Sequence, residues 1–113
     1  MKLREREENG VVVLQLEGKL MGGPDATLLN EKLHQLLEND QNKVVVDLAK
    51  INWINSSGLG MLISALTTIR NAGGDLKLAS TTEKIKSLLT ITKLISVFDI
   101  YGSVDEAVAA LQN

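Results

Sequence analysis

Apolar and polar positions along this chain switch repeatedly between a two-residue and a three-to-four-residue period. Val11-Val12-Val13-Leu14-Gln15-Leu16-Glu17 predicts a strand with Val12, Leu14 and Leu16 on one face, since successive side chains of a strand point to opposite sides. Residues 2–8 before it alternate loosely in charge sign, with Leu3 the only strong apolar residue, as in a short exposed edge strand. Asn9-Gly10 between them tolerates positive φ at both positions and predicts a tight hairpin turn. Gly18 is expected to end the second strand.

From Asp25 to about Leu37 the apolar positions Ala26, Leu29, Leu33, Leu36 and Leu37 form one stripe, which predicts a first helix with Pro24 in its opening turn. Val44-Val45-Val46 lies in a β-branched run without helical period, so Lys43–Leu48 reads as a buried strand followed by a short connection. Leu59, Leu62, Ile63, Leu66 and Ile69 then mark a central helix from about Ser57 to Asn71, stopped by Ala72-Gly73-Gly74. Asp75–Ala79 alternates as a strand. Ser80 with Glu83 has capping-box spacing before a helix carrying Ile85, Leu88 and Leu89. A short strand is expected near Val97–Ile100. Ser103 with Glu106 repeats the capping box ahead of a last helix along Val104, Ala107, Val108 and Leu111. The order ββαβαβαβα implies an α/β domain spanning residues 1–113, a mixed sheet opened by an antiparallel hairpin with about four helices packed against it.

Composition narrows the function classes. Hydrophobic residues make up 44% of the 113 and charged residues 23%, with a net charge of −2, which suits a soluble globular domain. Only Trp53, Phe98 and Tyr101 are aromatic, so the base-stacking platforms and basic stripes of nucleic-acid modules are missing and no direct nucleic-acid partner is expected. No cysteine is present and His34 is the one histidine. Disulfides, thiol nucleophiles and zinc–thiolate sites are thereby excluded, and a reducing cytoplasm is the expected setting. No apolar run approaches the roughly 20 residues that span a bilayer. The charged start Met1–Glu8 lacks the apolar centre of a signal peptide. No cofactor is implied.

The run Asn55-Ser56-Ser57-Gly58-Leu59-Gly60, at the start of the central helix, is the first candidate site. One explanation is structural: a short side chain caps the helix, and the glycines allow close approach of helix and strand. The other is that the turn handles a phosphate, bound or attached to a serine, because a helix N-terminus offers unpaired N–H groups and the positive end of the dipole. Met61 follows Gly60 where a Walker loop needs Lys. A serine nucleophile would need a base, and His34 in the predicted first helix reads as a solvated surface residue; the Gly-x-Ser-x-Gly elbow is also absent, so hydrolase chemistry is rejected. Asp47 and Asp75 both stand at strand ends and could share a rim of the sheet, though local backbone contacts explain Asp47 as well. Trp53 packs on the approach to the turn or anchors an interface beside it.

The run Val-Val-Asp-Leu-x-x-Ile-x-x-Ile-Asn-Ser-Ser-Gly-Leu-Gly-x-Leu, residues 45–62, closely resembles the signature of STAS domains, specifically bacterial anti-sigma-factor antagonists. Leu16-Glu17-Gly18-Lys19-Leu20 resembles the segment before that family's first helix, and Ala72-Gly73-Gly74-Asp75-Leu76 its helix-to-strand junction, so the likeness covers essentially the whole chain. The resemblance implies a STAS-like fold and a regulatory switch, not an enzyme. The unmodified antagonist would bind an anti-sigma factor that is also a serine kinase and so release sigma factor. Phosphorylation would switch it off, and a metal-dependent serine phosphatase would reset it. By motif position the acceptor matches Ser56, with Ser57 as the alternative, and Asn55, Ser56, Ser57, Gly58, Leu59 and Trp53 form the implied partner surface. Many members carry Asp where this chain has Asn55. A STAS scaffold that is never phosphorylated, and a nucleotide-binding sensor, are the competing readings.

Overall fold

The computed structural model describes residues 1–112. Five strands lie in the order β1 (Lys2–Glu8), β2 (Val11–Leu20), β3 (Lys43–Ile54), β4 (Asp75–Ala79) and β5 (Ile100–Tyr101). The β1–β2 pair is antiparallel and the others are parallel. Asn9 and Gly10 take positive φ, 53° and 81°, and close the hairpin. The helices are α1 (Pro24–Glu38), α2 (Ser56–Asn71), α3 (Glu83–Ile91) and α4 (Val104–Leu111).

Strand alternation distributes the core between two faces. Val12, Leu14, Leu16, Val44, Val46, Leu76 and Leu78 meet Leu29 and Leu33 of α1, Leu62 and Ile69 of α2, and Ile85 and Leu89 of α3. The intervening Val11, Val13, Val45 and Ala79 pack instead on Ala107, Val108 and Leu111 of α4. Three helices therefore cover one face and a single short helix the other. The apolar run Val44–Val46 follows directly, since both of its faces are buried.

Four boundaries depart from the sequence expectation. Gly18, at φ 101°, does not end β2, which continues to Leu20. Residues 49–54 are no connection but the second half of β3. Leu48, Ile51 and Ile54 are all buried in the same core cluster, a three-residue spacing that a regular strand cannot bury on one side. Register shifts against β2, between Gln15 and Glu17 and again between Gly18 and Lys19, rephase the strand and make it possible. Beyond Asp47, β3 is paired with β2 alone. The cap of α3 is Thr82, whose side chain accepts from the Ile85 N–H at 3.3 Å, and not Ser80. The last strand is Ile100–Tyr101, starting three residues after the predicted start at Val97, because the Val97 N–H turns back to the Leu94 carbonyl. The Ser103 cap of α4 stands as expected, accepting from the Glu106 N–H.

Lys77 is the buried cation of the sheet, its side chain 11% exposed and paired with Asp75 at 2.8 Å and with Asp99. Arg70 also reaches Asp75, at 3.1 Å. Burial works to raise the Asp75 pKa, but hydrogen bonds from Lys77, the Leu76 N–H and Arg70 outweigh it and hold the carboxyl below its ordinary value of 3.8. Burial likewise works to lower Lys77, and its bonds to the two aspartates win, holding it above 10.5. The signs then set a window. The Asp75 contribution is complete above pH 3.8 and is lost as pH falls through its depressed value; the Lys77 contribution is complete below 10.5 and is lost as pH rises through its raised one. Lys77→Met is expected to cost about 1–2 kcal/mol at pH 7. Its difference from the parent should shrink as pH falls well below 3.8, as thermal melts along a descending pH series will register.

Candidate functional site at the start of the second helix

Asn55 carries the turn. Its backbone is extended at φ −122°, and its side-chain oxygen accepts from the Gly58 N–H at 2.8 Å, while its carbonyl accepts from the Leu59 N–H. This is an asparagine cap, so α2 opens at Ser56, one residue earlier than the apolar stripe predicts. Both serines occupy the first turn, are exposed, and are relieved of capping. Asn55→Ala is expected to destabilise the domain by about 1 kcal/mol, whereas Asn55→Asp, which caps equally well, should change it little. Urea denaturation of the two variants distinguishes them.

Two close approaches fix this turn against the end of β2. A Cβ on Gly58 would lie 1.8 Å from the Leu20 carbonyl oxygen, and the Asn55 N–H donates to that same oxygen at 3.3 Å. Gly22, at φ 81°, lies so near Ser57 that a Cβ there would be 2.9 Å from the serine Cβ. The β2–α1 loop therefore backs Ser57. No such space is filled at Gly60, so only one of the two motif glycines serves close packing.

The predicted partner residues divide by burial. Ser56, Ser57 and Trp53 are exposed and Asn55 is half-buried, whereas Gly58 and Leu59 are buried and act by positioning the turn. Trp53 is 43% exposed and carries the Lys84 ammonium 3.4 Å from its ring centroid, an arrangement that favours a cation over the ring face. Trp53, Met21, Lys19 and Asn52 line a shallow, largely apolar hollow of about 550 Å³. Met21, Lys19 and Lys84 escape sequence reasoning because β2, the following loop and α3 bring them here. The Gly22-Gly23 pair is the one local hint of a tight loop.

The other candidates do not join the site. His34 is exposed, ten residues along α1 from Pro24, a rise of about 15 Å. Asp47 is buried and accepts from the Ala49 N–H and from Gln15. It cannot share a rim with Asp75, because Asp47 pairs with Ala79 at one end of the β3–β4 ladder and Lys43 with Asp75 at the other. Among the described residues no cluster of three or more His, Cys, Asp or Glu side chains could hold a metal. No helix among them is long and apolar enough to cross a membrane.

The profile of the STAS domain matches residues 2–107. The chain belongs to the STAS domain family. The anti-sigma-B factor antagonist of Bacillus subtilis is 32% identical over 75 residues, covering 66% of this chain and 68% of that protein. A Thermotoga maritima protein provisionally named an anti-sigma factor antagonist, of known crystal structure, superposes with a TM-score of 0.87 at 26% identity, over 98% of this chain and 95% of that one. SpoIIAA of Bacillus shares the fold, at 13% identity in its unphosphorylated form (TM-score 0.74, 99% of both chains) and 14% in its phosphorylated form (0.73, 96% and 98%). The resemblance to STAS-domain anti-sigma-factor antagonists seen in residues 45–62 thus holds along the chain. The five-stranded mixed sheet with four helices is the STAS fold.

Proposed function

We propose that this STAS domain is an anti-sigma-factor antagonist whose unphosphorylated form binds an anti-sigma serine kinase, releasing sigma factor, and that phosphorylation of Ser56 switches it off. A metal-dependent serine phosphatase would reset it. The observation that carries this reading is the exposed Ser56 in the first turn of α2, relieved of capping by Asn55 and three residues after the exposed Trp53. The names of the relatives support the antagonist role. SpoIIAA, a neighbour by fold, exists in both phosphorylation states.

The chemistry asks little of the chain. The kinase would transfer the γ-phosphoryl group of ATP to the Ser56 Oγ, taking up the hydroxyl proton and releasing ADP. The substrate would need only to present the hydroxyl, since the base belongs to the kinase. The product dianion would sit over unpaired N–H groups at the positive end of α2. Asn55 places no carboxylate against the incoming phosphate. Ser57, backed by the Gly22 loop, is the alternative acceptor. The domain itself would act as a binding module without catalysis of its own.

The test is intact-protein mass after incubation with ATP, magnesium and a serine kinase that binds the domain. A single phosphate addition is expected, lost in Ser56→Ala and kept in Ser57→Ala. No addition by a kinase that demonstrably binds would overturn the switch and leave an unphosphorylated scaffold.

A further inference from the structure

At the carboxyl ends of β4 and β5 the chain leaves two neighbouring parallel strands in opposite directions. β4 leads through residues 80–82 into α3, on the face shared with α1 and α2, while β5 leads through Gly102 and Ser103 into α4 on the other face. Where adjacent parallel strands send their connections to opposite faces, a crevice opens over the strand ends, and ligands of open α/β sheets bind in such crevices. Here the crevice measures about 450 Å³, within the range of small-molecule clefts.

Its lining is of two kinds. Ile95 and Phe98 supply an apolar wall, and Ser80, Thr81, Tyr101 and Lys86 supply three hydroxyls and an ammonium group. Among the described residues no carboxylate pairs with Lys86. Thr82 and Ser103 cap the two flanking helices, which relieves Ser80 and Thr81 of that duty. Ser80 is held at φ 57°, in the left-handed region unfavourable to a serine, with its N–H donating to the Tyr101 carbonyl. Backbone strain, an unpaired cation and uncommitted hydroxyls therefore coincide at one opening.

We propose that this crevice binds a small organic anion with a ring-sized apolar body, its charged group facing Lys86 and the hydroxyls and its body lying on Ile95 and Phe98. An amphiphilic ligand matches both linings at once; a bare inorganic anion would leave the apolar wall wet, and a neutral ring would leave Lys86 unanswered. The site is distinct from Ser56, although α3 borders both: Lys86 lines the crevice, and Lys84 lies over Trp53.

The experiment is an amide chemical-shift titration of the unmodified chain with phenyl phosphate and with benzoate, against inorganic phosphate and benzyl alcohol as partial probes. Its result does not depend on whether Ser56 is ever phosphorylated. At least one of the two ring-bearing anions should give saturable shifts at Ser80, Thr81 and Gly102. Both partial probes should bind about tenfold more weakly, and Lys86→Gln should weaken the ring-bearing anion by about tenfold, the loss of one charge-assisted contact. Lys86 is exposed, so this variant should keep the parent's spectrum elsewhere. The proposal is overturned if neither ring-bearing anion saturates, if inorganic phosphate binds as well, if Lys86→Gln binds with unchanged affinity, or if the shifts centre on Ser56 and Ser57.

Discussion

Gly58→Ala is expected to destabilise the domain by about 3 kcal/mol or more, a fall of roughly 10 °C in melting temperature. The added Cβ would meet the Leu20 carbonyl oxygen at 1.8 Å and the Leu20 carbonyl carbon at 2.5 Å. Both are backbone atoms in a paired strand, so no rotamer change relieves the clash. Either α2 is pushed outward, breaking the Asn55 N–H bond to Leu20, or the end of β2 is displaced together with the loop that backs Ser57. Gly60 supplies the contrast. It lies in the same helix, is exposed, and has open space where a Cβ would stand, so Gly60→Ala should stabilise by about 0.5–1 kcal/mol through helix propensity. Urea denaturation of both variants is the measurement. A Gly58→Ala protein within about 1 kcal/mol of the parent would refute the close-packing account.

Phosphorylation of Ser56 is expected to leave the melting temperature nearly unchanged while weakening partner binding by about 100-fold or more. The two halves have separate causes. A dianion at the first turn of α2 meets exposed N–H groups and the favourable end of the helix dipole, so folding has little to lose. A docking partner pressed against Trp53 and Met21 must instead desolvate that dianion, which costs several kcal/mol unless a cation answers it. Calorimetric titration of the phosphoprotein against the kinase, beside a thermal melt, reads both quantities. Ser56→Asp should move in the same direction by less, because a carboxylate carries less charge and fewer acceptor oxygens than a phosphate. A phosphoprotein that melts many degrees lower would mean that the modification acts on the fold and not on docking.

Local chemistry was legible wherever one residue type answers one backbone need. Asn9-Gly10 reads as a turn because both must take positive φ, and Ser103 reads as a cap because its neighbours offer no rival. Legibility failed where tertiary contacts chose between local equals. Ser80, Thr81 and Thr82 are three hydroxyl residues in a row, and the Ser80 N–H bond to the Tyr101 carbonyl, across 21 positions, decides which one caps α3. The second half of β3 was hidden for another reason: its buried residues recur every three positions, a period belonging to neither a regular strand nor a surface helix, and only the shifted pairing with β2 accounts for it. At the candidate site, the serines and their cap lie together in sequence and were visible. Lys19, Met21 and Lys84 arrive from other elements, so no local pattern could announce them.

The overshoot of β3 past the body of the sheet has a dynamic consequence. Val44 to Asp47 are held by neighbours on both sides, whereas Lys50 to Ile54 hang on β2 alone and leave Lys50, Asn52 and Trp53 exposed. Such a two-stranded ribbon opens without the global transition, so its amides should exchange with solvent deuterium well before those of Val44–Val46. The ribbon carries Asn55 and Ser56 at its tip. That tip nevertheless stays seated, because Ile51 and Ile54 are buried in the core and Gly58 abuts the Leu20 carbonyl, so the early exchange should be confined to the exposed stretch before it.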